Sequence, residues 1–158
     1  MTHATFFGEL QELLAAPSPA KEFVLDLIRW LDRHEAPEET SLNTQTLIRA
    51  FVACGSSLEH LPTVACTLQA AREFIAEPTE AQWDALLRAA TDSYPFGPGD
   101  GCFAIAEIGY TRCEPGSGCR SGAGTLACIA HEVGYDAVAD AVRVELGKWL
   151  REQVTTRL

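Results

Sequence analysis

The sequence predicts an all-α fold: a single domain over residues 1–158, built of seven or eight helices in an antiparallel array. Apolar residues recur three and four positions apart along most of the chain. Proline and glycine divide these stretches into helix-sized pieces, and strand patterns find little support. No exact internal repeat is present, although pairs of antiparallel helices could stack in a solenoid-like way. A chain of 158 residues suits one domain with a real core.

The first helix is predicted from Phe6, Phe7, Leu10, Leu13 and Leu14, and Pro17 stops it. Ser18-Pro19 is expected to cap the second, which shows Phe23, Val24, Leu27, Ile28 and Leu31 on one face. An acidic segment from Glu35 to Glu39, around Pro37, leads to a third helix. That helix carries Leu47, Ile48, Phe51 and Val52, is closed by Gly55, and should leave its polar face in water.

Pro62 opens a fourth helix with Val64, Leu68, Ala71 and Ile75 on a shared face, ended by Pro78. Thr79-Glu80-Ala81-Gln82 fits a capping box, in which the Thr79 hydroxyl accepts an orphan amide and Gln82 reaches back. Trp83, Leu86, Leu87 and Ala90 continue the fifth helix until Tyr94-Pro95 breaks it. Beyond the turn-rich residues 96–101, the apolar run Cys102, Phe103, Ile105, Ala106 and Ile108 is read as helix. Residues 111–124, rich in glycine and cysteine around Pro115, read as a loop.

Leu126, Ile129, Ala130 and Val133 mark a helix ending near Gly134. The last helix carries Val138, Val142, Leu146, Trp149 and Leu150, with Asp140 and Glu145 on other faces. Leu27, Phe51, Leu68, Trp83, Leu87 and Trp149 are expected largely inside, each on an apolar stripe.

Charge narrows the function classes. Twelve Lys and Arg stand against 22 Asp and Glu, a net charge of −10, and the pI is near 4.8. Such a chain repels polyanions, which argues against nucleic acid and anionic membranes as partners. No run of eighteen apolar residues and no signal-like N-terminus appear, so a cytoplasmic location is expected, with no membrane partner. An acidic surface steers a basic protein partner, and Glu35, Glu38 and Glu39 are the candidate binding residues.

Six cysteines bear on chemistry. Cys54 and Cys66 fall among apolar helical residues and are expected to pack as small hydrophobes. Cys102, Cys113, Cys119 and Cys128 cluster in one stretch, and in a reducing compartment such a cluster reads as metal-binding or redox-active. Cys113, Cys119, Cys128 and His131 offer zinc a ligand set, although Cys113 and Cys119 depart from Cys-x-x-Cys spacing. The same two cysteines could instead form a local disulfide, with Arg112 and Arg120 favouring their thiolates. Zinc belongs only to that alternative; otherwise no cofactor is implied.

Gly116 to Thr125 has the glycines of an anion cradle without the lysine or preceding strand of a P-loop. His3, His34, His60 and His131 sit in no nucleophile or metalloprotease motif. His131, Glu132 and Asp136 could be grouped as acid and base, but neighbouring helical residues point in different directions. The expectation is therefore a non-enzyme.

The run from Leu68 to Glu80 resembles a helix and following helix start in uncharacterised bacterial proteins encoded near type VI secretion genes. The similarity continues through Ala85 to Ala90, Gly97 to Gly99 and Ala104-Ile105-Ala106, covering about a quarter of the chain. It implies a non-enzymatic secretion-associated role, as an accessory or immunity protein. The leading expectation is thus an acidic protein-binding module, and the alternative a cysteine-centred metal or thiol-redox protein.

Overall fold

The computed structural model describes residues 2–34, 41–60, 62–93, 126–127, 129–131 and 133–156, with side chains at 62–63 and 90–93 left aside. Six α-helices are α1 (His3–Ala15), α2 (Ala20–Arg33), α3 (Leu42–Gly55), α4 (Pro62–Ala76), α5 (Glu80–Ser93) and α6 (Tyr135–Thr156). A short 3-10 helix, Ser56–Leu58, follows α3, and residues 126–127, 129–131 and 133 are also helical. No strand occurs among the described residues, and the fold is all-α. No helix among them is long and apolar enough to cross a membrane. The apolar run at 102–108 and the loop at 111–124 lie outside the described residues.

Local chemistry explains most helix ends. Thr2 caps α1 by accepting the Thr5 amide at 3.1 Å, and Ser41 caps α3 by accepting the Thr44 amide at 3.2 Å. The Thr79 hydroxyl accepts the Gln82 amide at 3.2 Å, as the capping box requires. Its reciprocal half is not made, because the Thr79 amide donates to the Glu77 carbonyl at 2.8 Å. Gly134 stops the helical stretch before α6 at φ +97°, a backbone conformation that glycine adopts without a Cβ penalty, and its amide donates to Ala130 O.

Two expected ends are built differently. At α2 the N-cap is Pro19, with no side-chain cap, and the Ser18 carbonyl instead accepts Arg143 Nη2 from α6 at 3.0 Å. At α3 Gly55 stays right-handed, with φ −71°, and the chain tightens into the 3-10 turn. Its usefulness is close approach, since a Cβ there would meet Leu68 Cδ2 of α4 at 3.0 Å.

Packing follows the chain from α3 to α4 and from α4 to α5; α6 then returns to lie against α1, α2 and α3. At 22 residues α6 runs about 33 Å, long enough to span all three. Its stripe of Val138, Val142, Leu146 and Trp149 is buried in one core with Phe7, Leu10, Phe23, Leu27, Ile48 and Phe51 of those helices. Trp30, Phe6, Phe7 and Trp149 form a chain of rings with successive centroids 4.8, 5.5 and 5.2 Å apart. Tilted and edge-on contacts of this kind add about 0.5 to 1.5 kcal/mol each beyond area burial.

Arg49 joins three helices across that core. From α3 it donates to Glu145 Oε1 of α6 at 3.2 Å and to the Ile75 carbonyl of α4 at 3.4 Å. Its guanidinium lies 4.8 Å from the Trp149 ring centroid, while its buried Nε has no hydrogen-bond partner in the described structure. Arg143 likewise covers the Phe23 ring at 4.2 Å.

Leu27, Phe51, Leu68, Trp83 and Trp149 are buried as the stripes predicted. Leu87 is only partly buried, because Leu86 takes the fully enclosed position on α5. Cys54 is buried, but Cys66 is exposed and does not pack as a core hydrophobe. The polar side of α3 is not wet either: held between α4 and α6, it buries Thr44 and Thr46, and the Thr46 hydroxyl donates to Leu42 O at 2.7 Å.

Leu68→Ala leaves a cavity between α3 and α4 and should lower unfolding free energy by about 2 to 5 kcal/mol in chemical denaturation. A loss under about 0.5 kcal/mol would show that α4 does not close this core. The two thiols should also separate kinetically. Burial pushes Cys54 up to about 12, so peptide mapping after alkylation of folded protein should find Cys66 labelled and Cys54 labelled only in denaturant.

Candidate functional site

Glu9 and Glu12 lie one helical turn apart on α1, and Trp30, Arg33 and His34 lie along the last turn of α2 and its C-cap. Together with Leu13 they line an open cleft of about 560 Å³. That volume is within the range of ligand-binding clefts.

Glu9 Oε2 accepts both the Trp30 indole N–H, at 2.9 Å, and His34 Nε2, at 2.7 Å. The indole hydrogen bond is the main reason that the Glu9 carboxyl is held below the usual glutamate range. Charge and hydrogen bonding from His34 and the charge of Arg33 act in the same direction, against partial desolvation. Glu12 makes no side-chain hydrogen bond or ion pair among the described residues, so its carboxylate remains available to a ligand.

The floor of the cleft is rigid for identifiable reasons. Trp30 is 4% exposed and packs on Phe6, which leaves the indole N–H no freedom but to face Glu9. The His34 ring stacks edge-on to Trp30 at 5.3 Å. Its amide closes α2 onto Trp30 O and Leu31 O, and its carbonyl accepts Asn43 Nδ2 of α3 at 2.8 Å. Asn43 also donates to Leu31 O at 2.9 Å, so three helices meet where the chain leaves His34.

Glu35, Glu38 and Glu39 follow His34 directly in the sequence and lie outside the described residues. Cys113, Cys119 and Cys128 also lie outside them. His131 is exposed and packs edge-on against Tyr135 at 5.8 Å, a ring that also receives Lys21 Nζ at 5.8 Å. Among the described residues no group of His, Cys, Asp and Glu has the arrangement of a metal site.

The cleft residues escaped sequence reasoning. Trp30 stands seven positions after Phe23, on the same face of α2, and Glu9 precedes Leu13 by four. A carboxylate facing an indole across a helix pair is therefore readable only once that pairing is known. Compared with known proteins, the chain matches no family model, and no curated protein or solved structure is recognisably similar to it.

The Glu9 cluster carries a pH signature. A carboxyl whose folded pKa lies below its unfolded value stabilises the fold fully above the unfolded value, near 4.5, and loses that contribution as pH falls through the folded one. The stability difference between the parent and Glu9→Gln should therefore shrink as pH falls below about 4.5. Urea denaturation across pH 3 to 7 measures it; a difference independent of pH would show that the carboxylate charge contributes nothing to the clasp.

Proposed function

We propose that this chain is a non-enzymatic, acidic protein-binding module that receives a basic protein partner, with a secretion-associated accessory or immunity role. The observation that supports this reading is a cleft lined by two glutamates in a strongly acidic chain. Glu9 and Glu12 line the open cleft, Glu35, Glu38 and Glu39 follow His34 in the sequence, and the whole chain carries −10. A field of that sign raises the encounter rate with a positively charged surface and disfavours polyanions.

Among the described residues no hydroxyl or thiol lines the cleft to serve as nucleophile. The apolar floor and charged rim resemble the anatomy of a protein interface on a small scale.

The test is affinity capture from the native host followed by association kinetics with the recovered partner. Replacing Glu35, Glu38 and Glu39 by glutamine should slow association and flatten its salt dependence, with the unfolding midpoint unchanged. An association rate indifferent to all three would remove that segment from the interface. A catalytic turnover abolished by Cys113→Ser or His131→Ala would overturn the non-enzymatic reading.

A further inference from the structure

Helix α6 has two faces of opposite character. Val138, Val142, Leu146 and Trp149 are buried on one. The other carries the large apolar side chains that stand exposed among the described residues, Val144 at 71% and Val154 at 54%. Steps of three and four residues from Val144 reach Ala137, Asp140, Gly147, Arg151 and Val154, which at about 100° per residue form one seam along the outer side. Ala137, Asp140 and Arg151 are exposed, and neither charged side chain of the seam makes a hydrogen bond or ion pair among the described residues. At Gly147 a Cβ would meet within 4 Å only Arg151 Nη1, at 3.6 Å, the far end of a flexible side chain. Another helix can therefore come close there.

The seam is complementary to itself when reversed. Laid antiparallel on a second copy, it sets Ala137 opposite Val154, Asp140 opposite Arg151 and Val144 opposite Gly147. All three pairs are symmetric about the midpoint between Val144 and Gly147, as a two-fold axis requires. Every layer then joins small to large or acid to base. A parallel pairing would set Asp140 on Asp140 and Arg151 on Arg151, so charge selects the antiparallel one.

We infer that this outer face of α6 is a self-association surface, on which two copies of the chain pair antiparallel about an axis between Val144 and Gly147. A second copy fits because it presents the reverse order of charge and size along the seam. Two-fold symmetry makes each layer occur twice, so an Asp140 to Arg151 pair lies on either side of the central valines and fixes the register. The seam is about 26 Å long, and the −10 on each copy opposes approach, so the dimer is weak and forms as concentration rises. The surface lies on the last helix, apart from Glu9, Glu12 and residues 35–39, and does not depend on the reading of a basic partner.

Sedimentation equilibrium of the full chain from about 10 μM to 1 mM tests this, with mass expected to rise from 17.1 kDa towards twice that value. Asp140→Arg opposes two bases in both equivalent layers, and Arg151→Asp opposes two acids; each alone should weaken the dimer about tenfold or more. Mixed in equal amounts, the two variants restore an acid opposite a base in both layers, and association should return to within about threefold of the parent. Recovery on mixing cannot come from variants that have failed to fold. A mass of 17.1 kDa throughout, a dimer indifferent to both substitutions, or a mixture no tighter than either variant alone would overturn the inference.

Discussion

Burial of the α6 stripe is the interaction on which the remaining structure depends. Helices α1, α2 and α3 each pack on α6, and the direct packing of α1 on α2 is slight by comparison. Val138, Val142, Leu146 and Trp149 of α6 share one buried core with Phe7, Phe23, Leu27, Ile48 and Phe51 of those helices, so α6 cannot be removed without opening that core. The cleft inherits this dependence. Trp30 is fixed by Phe6, Phe6 adjoins Phe7, and Phe7 is held by Trp149, so Glu9 is positioned through a line of rings that ends on the last helix. Since those contacts join distant parts of the sequence, the chain must close a long loop before the first helices gain their cover.

Polar groups at the same junction give α6 its register. Arg49 and Glu145 tie it to α3, and Arg143 ties it to the turn before α2 through Ser18 O. Both arginines also lie over aromatic faces, on Trp149 and Phe23, so each charge is compensated by a ring as well as by an oxygen. Arg49 Nε has no partner among the described residues, which is a cost the packing around it must offset. Hydrophobic stripes alone permit α6 to slide or rotate by a residue; fixed hydrogen bonds at two places along it do not.

The fold was legible because its signals are local. Period, caps and breakers place α1 to α6 and bury Leu27, Phe51, Leu68, Trp83 and Trp149, each decided within its own helix. Errors arose where a neighbouring helix decides. Cys66 and Leu87 have helical spacing consistent with burial, yet Cys66 is exposed and Leu87 only partly buried; Thr44 and Thr46 look solvent-facing until α4 and α6 pack on α3. The cleft was invisible for the same reason, since Glu9 acquires its two donors from residues 21 and 25 positions onward. Cys113, Cys119 and Cys128, and Glu35, Glu38 and Glu39, drew attention by composition and lie outside the described residues.

The Asn43 brace has a consequence for how the junction of α2 and α3 tolerates substitution. Asn43 binds the carbonyls of Leu31 and His34 at the end of α2, and Ser41 caps α3 through Thr44. The end of α2 and the start of α3 are thus joined directly, by contacts between described residues on either side of residues 35–40. Replacing the Asn43 amide by an apolar group would take one donor away from two carbonyls at once, so a single side chain governs how firmly two helices are held at their junction.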